Sequence, residues 1–527
     1  MPSKSTDALF QLIKSLEKSE KRNLKLFAGR NSGAETLKSM QLFNALDKLP
    51  EYDEKMLLKK VPAVSKQQLS NTKALLYKQI LGSLRIIRED MNVDMQLREM
   101  MDSARILYNK GLYLQTLKIL DKMKELARCY HQLTYLQQAL FFEKKIEGLY
   151  ITRSIQNRAD ELAREADAVT ETVNNINTLS NLALQLYSWY IQNGHARNEN
   201  DIKTVRLFFE KSLPKNAAQL QGFYEKQYYY QSYAWYAFIK LDFLMFYRYT
   251  QKWVDTFETN PQMIALETTM YIKGVHNLMS AHFDLMNRDK LAATIKQFKH
   301  FVQTKLVQDN NNNRITGYVY LYTAVINLHF LEGTFNKGLK MVPYLEEMLV
   351  EHGLYLDRHK VMVFYYKIAC LYFGSGDNKK AIDYLNRIIN QKDDLRTDLQ
   401  CYSRLLHLIA HYELGNFDLL EYLIKSVYRY MAKMENLSKV EEEMFRFLRN
   451  AFKFNAKTIR PEFEKLLTKL KRYQHNRLEA RAFAYLDVIS WLESKLYGIN
   501  VQDVIRKKYL RASRSTKRGC IKRHFRT

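Results

Sequence analysis

His407 and His411 stand four residues apart in a 527-residue chain, a spacing that could do chemistry. On a helix, positions i and i+4 share a face, so two imidazoles placed this way could hold a metal ion or pass a proton. The surrounding segment LLHLIAHYELG contains no HExxH arrangement and offers no third ligand, so packing or surface exposure is the plainer reading. Cys520 and His524 have the same spacing and also lack a second ligand pair. The carboxylates Glu441 to Glu443 read as a solvated helix face rather than a hydrolytic centre. Gly374 and Gly376 do not form a phosphate loop, because the strand before it and the GKS or GKT ending are missing. A Walker A segment, a Rossmann fingerprint, a GxSxG turn and a kinase signature are likewise missing. The expectation is a non-enzymatic protein with no catalytic residue, no cofactor and no metal site.

The basic end is the clearest local candidate for binding. Arg506, Lys507, Lys508, Arg511, Arg514, Lys517, Arg518, Lys522, Arg523 and Arg526 occur there with no carboxylate among them. Such a cluster could contact phosphates of RNA, DNA or anionic lipid, and its binding would weaken with salt. A flexible, solubilising terminus is the simpler alternative, since Tyr509 and Phe525 are too few aromatics for an RNA-binding motif. A second polyanion candidate is YEKQYYYQSYAWYAFIKLDFLMFYRYTQKWV, 224 to 254, the densest aromatic stretch of the chain. Its rings could stack on single-stranded bases. Tyr230, Tyr233, Tyr236, Ala237 and Lys240 follow an amphipathic helical period, however, which favours rings packed between helices.

These residues must be positioned by helices. The chain has 17 Gly and 7 Pro, 26% charged and 46% hydrophobic residues, and no long runs of alternating β-branched and polar residues. That composition is all-α. The net charge of +26 favours acidic partners and says little about fold. Four cysteines, at 129, 370, 401 and 520, are too scattered for a disulfide framework. The opening MPSKSTDALFQLIKSLEKSEKR lacks a signal-peptide apolar run, and no segment reads as a membrane span. A cytoplasmic protein without integral membrane association is the expectation.

Helical periodicity predicts a helix over 8–27, another ended by Pro50, and a third over 67–90. Helix pairs follow, meeting at Gly111, Gly333, Gly376 and Gly415, with a continuous helical region from 127 to 150 and an exposed turn at DNNNNR, 309 to 314. The clearest pair is IACLYFGSGDNKKAIDYLNRI, where Asp377 is placed to cap the second helix. One such pair cannot bury both of its apolar stripes, so it needs neighbours of the same kind.

That pair resembles a tetratricopeptide repeat. Ile368 and Ala369 match its first apolar and small positions, Tyr372 its first aromatic, Gly376 its turn, Ala381 its small crossing position and Leu385 its large apolar position. Weaker matches recur at Leu107, Gly111, Tyr113 and Leu120, at Ile326, Gly333, Phe335 and Val342, and at Leu408, Gly415, Phe417 and Ile424. The turns at 333, 376 and 415 lie 43 and 39 residues apart, longer than the family's period of about 34. Thr116, Gly338 and Leu420 also replace small positions, so the repeats are irregular.

The resemblance implies an all-α, right-handed superhelical solenoid of antiparallel helix pairs. Its expected organisation is a helical cap over 1–94, irregular repeats over 95–450, a second cap over 451–500 and a basic, flexible tail over 501–527. Proteins of this kind are binding scaffolds, so the implied partner is a protein or peptide. Nucleic acid bound through the basic tail is the alternative.

Overall fold

The structure is a computed structural model that describes all residues except 1–6, 30–33, 89–91, 151–156, 216, 352–355, 357, 392–395, 434–437, 452–457, 475, 477, 480–482, 484–486 and 512–527. The described residues form helices and no strand. None of those helices is long and apolar enough to cross a membrane. The chain divides into two compact units, 1–169 and 170–527, so the boundary expected at 94/95 lies inside the first.

In both units, helices reverse through one recurring turn. A residue at positive φ follows the helix, its N–H bonds the carbonyl three residues back, and the next N–H bonds the carbonyl five back. This closure satisfies carbonyls that a helix end otherwise leaves open. It occurs at Gly111, Gly333, Gly376 and Gly415, and also at His131, Leu241 and Met286. The turns at His131 and Leu241 break segments whose periodicity reads as continuous, 127–150 and the aromatic stretch 224–254, whereas the turn at Met286 falls between helices expected over 264–286 and 289–305. A side chain at positive φ is strained, and the two hydrogen bonds with helix packing on either side offset that strain. Asp242, Asn287 and Asp377, directly after three of these turns, accept from the N–H three residues on and cap the following helix.

The first unit contains α1 (Ala8–Ser15), α2 (Lys18–Gly29), α3 (Ala34–Lys48), α4 (Glu54–Lys60), α5 (Lys66–Arg88), α6 (Val93–Asn109), α7 (Tyr113–Cys129), α8 (Leu133–Tyr150) and the start of α9 (Arg158–Asn193). The single helix expected over 8–27 is two, because Leu16 is extended and the Glu20 carboxylate accepts from Glu17 N to start α2. Leu9, Ile13, Leu24, Phe43, Leu46 and Leu76 join one apolar core. Farther along, Lys124 pairs with the fully buried Glu143, to which Arg158 adds a bond of 2.6 Å. Each charge there has a partner, as burial requires.

The second unit begins within α9 and continues through α10 (Glu199–Ser212), α11 (Phe223–Ile239), α12 (Phe243–Glu258), α13 (Gln262–Leu266), α14 (Thr268–Asp284), α15 (Arg288–Val302), α16 (Lys305–Gln308), α17 (Asn311–Glu332), α18 (Phe335–Gly338) and α19 (Val342–Glu351). It then runs through α20 (Arg358–Ser375), α21 (Asn378–Ile389), α22 (Thr397–Glu413), α23 (Phe417–Lys433), α24 (Lys439–Ala451), α25 (Ile459–Tyr473), Val488–Tyr497 and a helix over 501–511. Neighbours such as α11 and α12, α14 and α15, α20 and α21, and α22 and α23 pack as antiparallel pairs. The segment 309–314 is a helix start rather than a turn: Asn310 accepts from Asn313 N, and buried Asn313 accepts from Thr269 Oγ1 at 2.6 Å. Glu441 is fully buried rather than solvated, because it accepts from Ser438 N at 2.5 Å in a capping box. The 501–511 segment, expected as flexible tail, is helical and packs beside the turn at Gly333, where only a glycine leaves the backbones room to approach.

Candidate functional site

The first helices of successive pairs turn one face each towards a common cavity. From α14 come Lys273, His276, Ser280 and Asp284; from α17 Val319, Thr323, Asn327 and Phe330; from α20 Lys360, Val363, Lys367 and Cys370. Steps of three and four residues place each set on one side of its helix. Tyr187 and Tyr190 of α9, Trp235 and Phe238 of α11, and Arg396 and Leu399 at the start of α22 complete much of the wall. The cavity, open to solvent on one side, has a volume of about 300 Å³.

The end of α9 and the start of α22 meet at this wall. Gly194 has φ +74°, and a Cβ there would lie 3.0 Å from Asp398 Cγ. Asp398 takes two bonds from Arg396, at 2.7 and 2.8 Å, and both residues are buried. The Arg396 guanidinium also lies 5.1 Å from the Tyr190 ring centre. This fork-to-fork pair neutralises itself and ties the two helices together.

Three lysines also line the cavity. Lys273, Lys360 and Lys367 line it, and Asp284 is the one carboxylate among its described lining residues. Burial, with Lys360 nearby, lowers Lys273 to about 8. Burial also lowers Lys367 to about 8, against the opposing pull of Cys370 and Asp284. Asp284 is raised to about 7 by burial, with Lys367 opposing. His276 stacks on Tyr320 at 3.8 Å and is held neutral, down to about 3, by burial and then by the three lysines. The Cys370 thiol is pushed up to about 12 by burial, so it is no thiolate nucleophile at neutral pH. The wall therefore presents positive charge, rings and hydrogen-bonding groups.

The residues singled out in the sequence fall elsewhere. His407 and His411 are buried, with Nε2 atoms 3.3 Å apart, and Asn416 Nδ2 lies 3.0 Å from His411 Nδ1. They pack a core face, and among the described residues no cluster of three groups able to hold a metal ion occurs. Ala369, Ala381 and Leu385 are fully buried where α20 and α21 cross, Tyr372 stacks on Tyr384 at 5.6 Å, and Gly376 turns at φ +97°. In the aromatic stretch, Trp235 and Tyr236 are buried and Phe209 stacks on Tyr236 at 4.1 Å.

The ten basic residues divide. Arg506 donates to Glu332 O at 3.1 Å, and Lys508 bonds Glu493 and Ser490 Oγ, each at 2.8 Å. Lys507 and Arg511 are exposed. Arg514, Lys517, Arg518, Lys522, Arg523 and Arg526 lie outside the described residues, as do Cys520 and His524. The cavity lysines carried a signal that periodicity passes over: Lys367 is a lone cation inside VMVFYYKIACLYF, where only a special environment tolerates charge.

No protein-family model matches the chain, and no curated protein matches it.

Proposed function

We propose that this protein is a non-enzymatic binding scaffold of the cytoplasm, and that the inner face of its second unit receives a protein or peptide partner. In this reading the helix pairs form a right-handed, tetratricopeptide-repeat-like solenoid. The observation that carries it is the convergence of one face from each of α11, α14, α17, α20 and α22 on a single ring-lined, cationic wall. Buried aromatic anchors with a few polar groups are what recognition surfaces use. Selection of short displayed peptides on the full chain tests it. Peptides sharing a sequence pattern, and losing affinity to Tyr320→Ala, support the reading; selection of no pattern overturns it.

A second reading, nucleic-acid association through the basic end, is favoured by Lys507 and Arg511, which are exposed and i,i+4 on the last described helix. Oligonucleotide binding that weakens with salt and is lost on removing 512–527 together with Lys507→Glu and Arg511→Glu would support it. Unchanged binding in that variant would remove it.

A further inference from the structure

Two lysines of this cavity, Lys273 and Lys367, make no ion pair among the described residues. The Lys273 ammonium sits over the rings of Tyr187 and Trp235, 4.8 and 5.7 Å from their centres, and makes no ion pair among the described residues. Lys367 donates to Asn327 Oδ1 at 2.5 Å and faces the rings of Phe283 and Phe330. Arg396 is already engaged by Asp398. A desolvated ammonium without a counter-ion costs folding free energy, so its position calls for another source of negative charge.

Three further atoms of the same wall are buried without a hydrogen-bond partner: Trp235 Nε1, His276 Nδ1 and Asp284 Oδ2. Buried polar atoms are nearly always paired, so three in one cavity mark a place where a partner docks. The volume of about 300 Å³ is at the small end of small-molecule sites, and the walls are mainly rings. Phosphate recognition favours a free guanidinium fork or a row of backbone N–H groups. The cavity's one arginine is paired, and point-charge lysines suit a carboxylate equally well.

We propose that this cavity is a binding site for a small organic anion, a carboxylate on a flat unsaturated body, with Lys273 and Lys367 supplying the charge and the rings that line the cavity packing against the body. Trp235 Nε1, His276 Nδ1 and Asp284 Oδ2 hydrogen-bond its polar substituents. The site does not depend on a macromolecular partner and would stand if the scaffold reading failed.

Calorimetric titration of the full chain with benzoate, 4-hydroxycinnamate and indole-3-carboxylate, each beside its uncharged amide, tests this. At least one carboxylate should saturate a single site and bind about tenfold more tightly than its amide. Lys273→Met should weaken that binding about tenfold with the helical circular dichroism unchanged. In the unmodified chain, the bound carboxylate should also protect Lys273 from acetylation, read by mass spectrometry, which needs no variant to fold. Absence of saturable binding by all three carboxylates, equal binding of acid and amide, or unprotected Lys273 would each overturn the proposal. Inorganic phosphate displacing the carboxylate at equal concentration would overturn the choice of anion.

Discussion

The backbone of Arg506 rests directly on the α-carbon of Gly333. A Cβ at Gly333 would sit 2.5 Å from Gln502 O and closer still to Arg506 N, and Gly333 also has φ +62°. Arg506 Nη1 reaches back to Glu332 O, and Asn336 N donates to Gln502 Oε1. Gly333→Ala should therefore cost about 3 kcal/mol by urea unfolding and speed proteolytic cleavage within 501–511. Gly376→Ala supplies the control. Gly376 has φ +97° but no atom nearer than Asn500 Oδ1 at 4.0 Å, so its cost should be backbone strain alone, about 1 kcal/mol. Equal losses in the two variants would refute the close approach.

Arg396 and Asp398 should behave as one unit. Arg396→Met leaves a buried carboxylate without its bidentate partner and should cost about 3–5 kcal/mol. Adding Asp398→Asn removes the stranded charge and should recover at least half of that loss. A double variant as unstable as the single one would show that the pair is not coupled.

Acid should destabilise the second unit through its buried histidines. His276, His282 and His407 are lowered from 6.5, to about 3, 4 and 4, chiefly by burial. The unfolded chain binds more protons than the folded one in that window, so stability present above pH 6.5 is lost as pH falls through about 4. His407→Phe should flatten this slope in urea unfolding measured between pH 7 and 4. An unaltered slope would contradict the assignment.

Lys273 imposes the opposite dependence. Its value falls from 10.5 to about 8, so at neutral pH the fold carries a desolvated charge, and stability rises as pH increases from about 8 to 10.5. Lys273→Met should raise stability by about 1 kcal/mol at pH 7 and remove that alkaline gain. A lower melting temperature in the variant would mean that the ammonium has a stabilising partner.

How far these features were legible depended on whether their cause was local. Amphipathic spacing and the glycine turns at 111, 333, 376 and 415 predicted helix pairs, because periodicity and positive φ are short-range properties. The turns at His131, Leu241 and Met286 carried no glycine, and only the Asp or Asn following two of them marked the break. DNNNNR looked like a loop because its composition is polar. Its Asn310 is in fact a helix cap, and Asn313 is buried by Thr269 of a distant helix.

The all-α class, the antiparallel pairing at glycine turns and the packing positions Ala369, Ala381 and Leu385 followed from the sequence alone, since each rests on residues within about two helical turns of one another. Tertiary structure decided the rest. It gathered Lys273, His276 and Asp284 of one helix and Lys360 and Lys367 of another onto one wall, buried Glu441, and laid Arg506 against Gly333. Charge balance and desolvation depend on which faces meet in space, and linear spacing within a single helix does not contain that information.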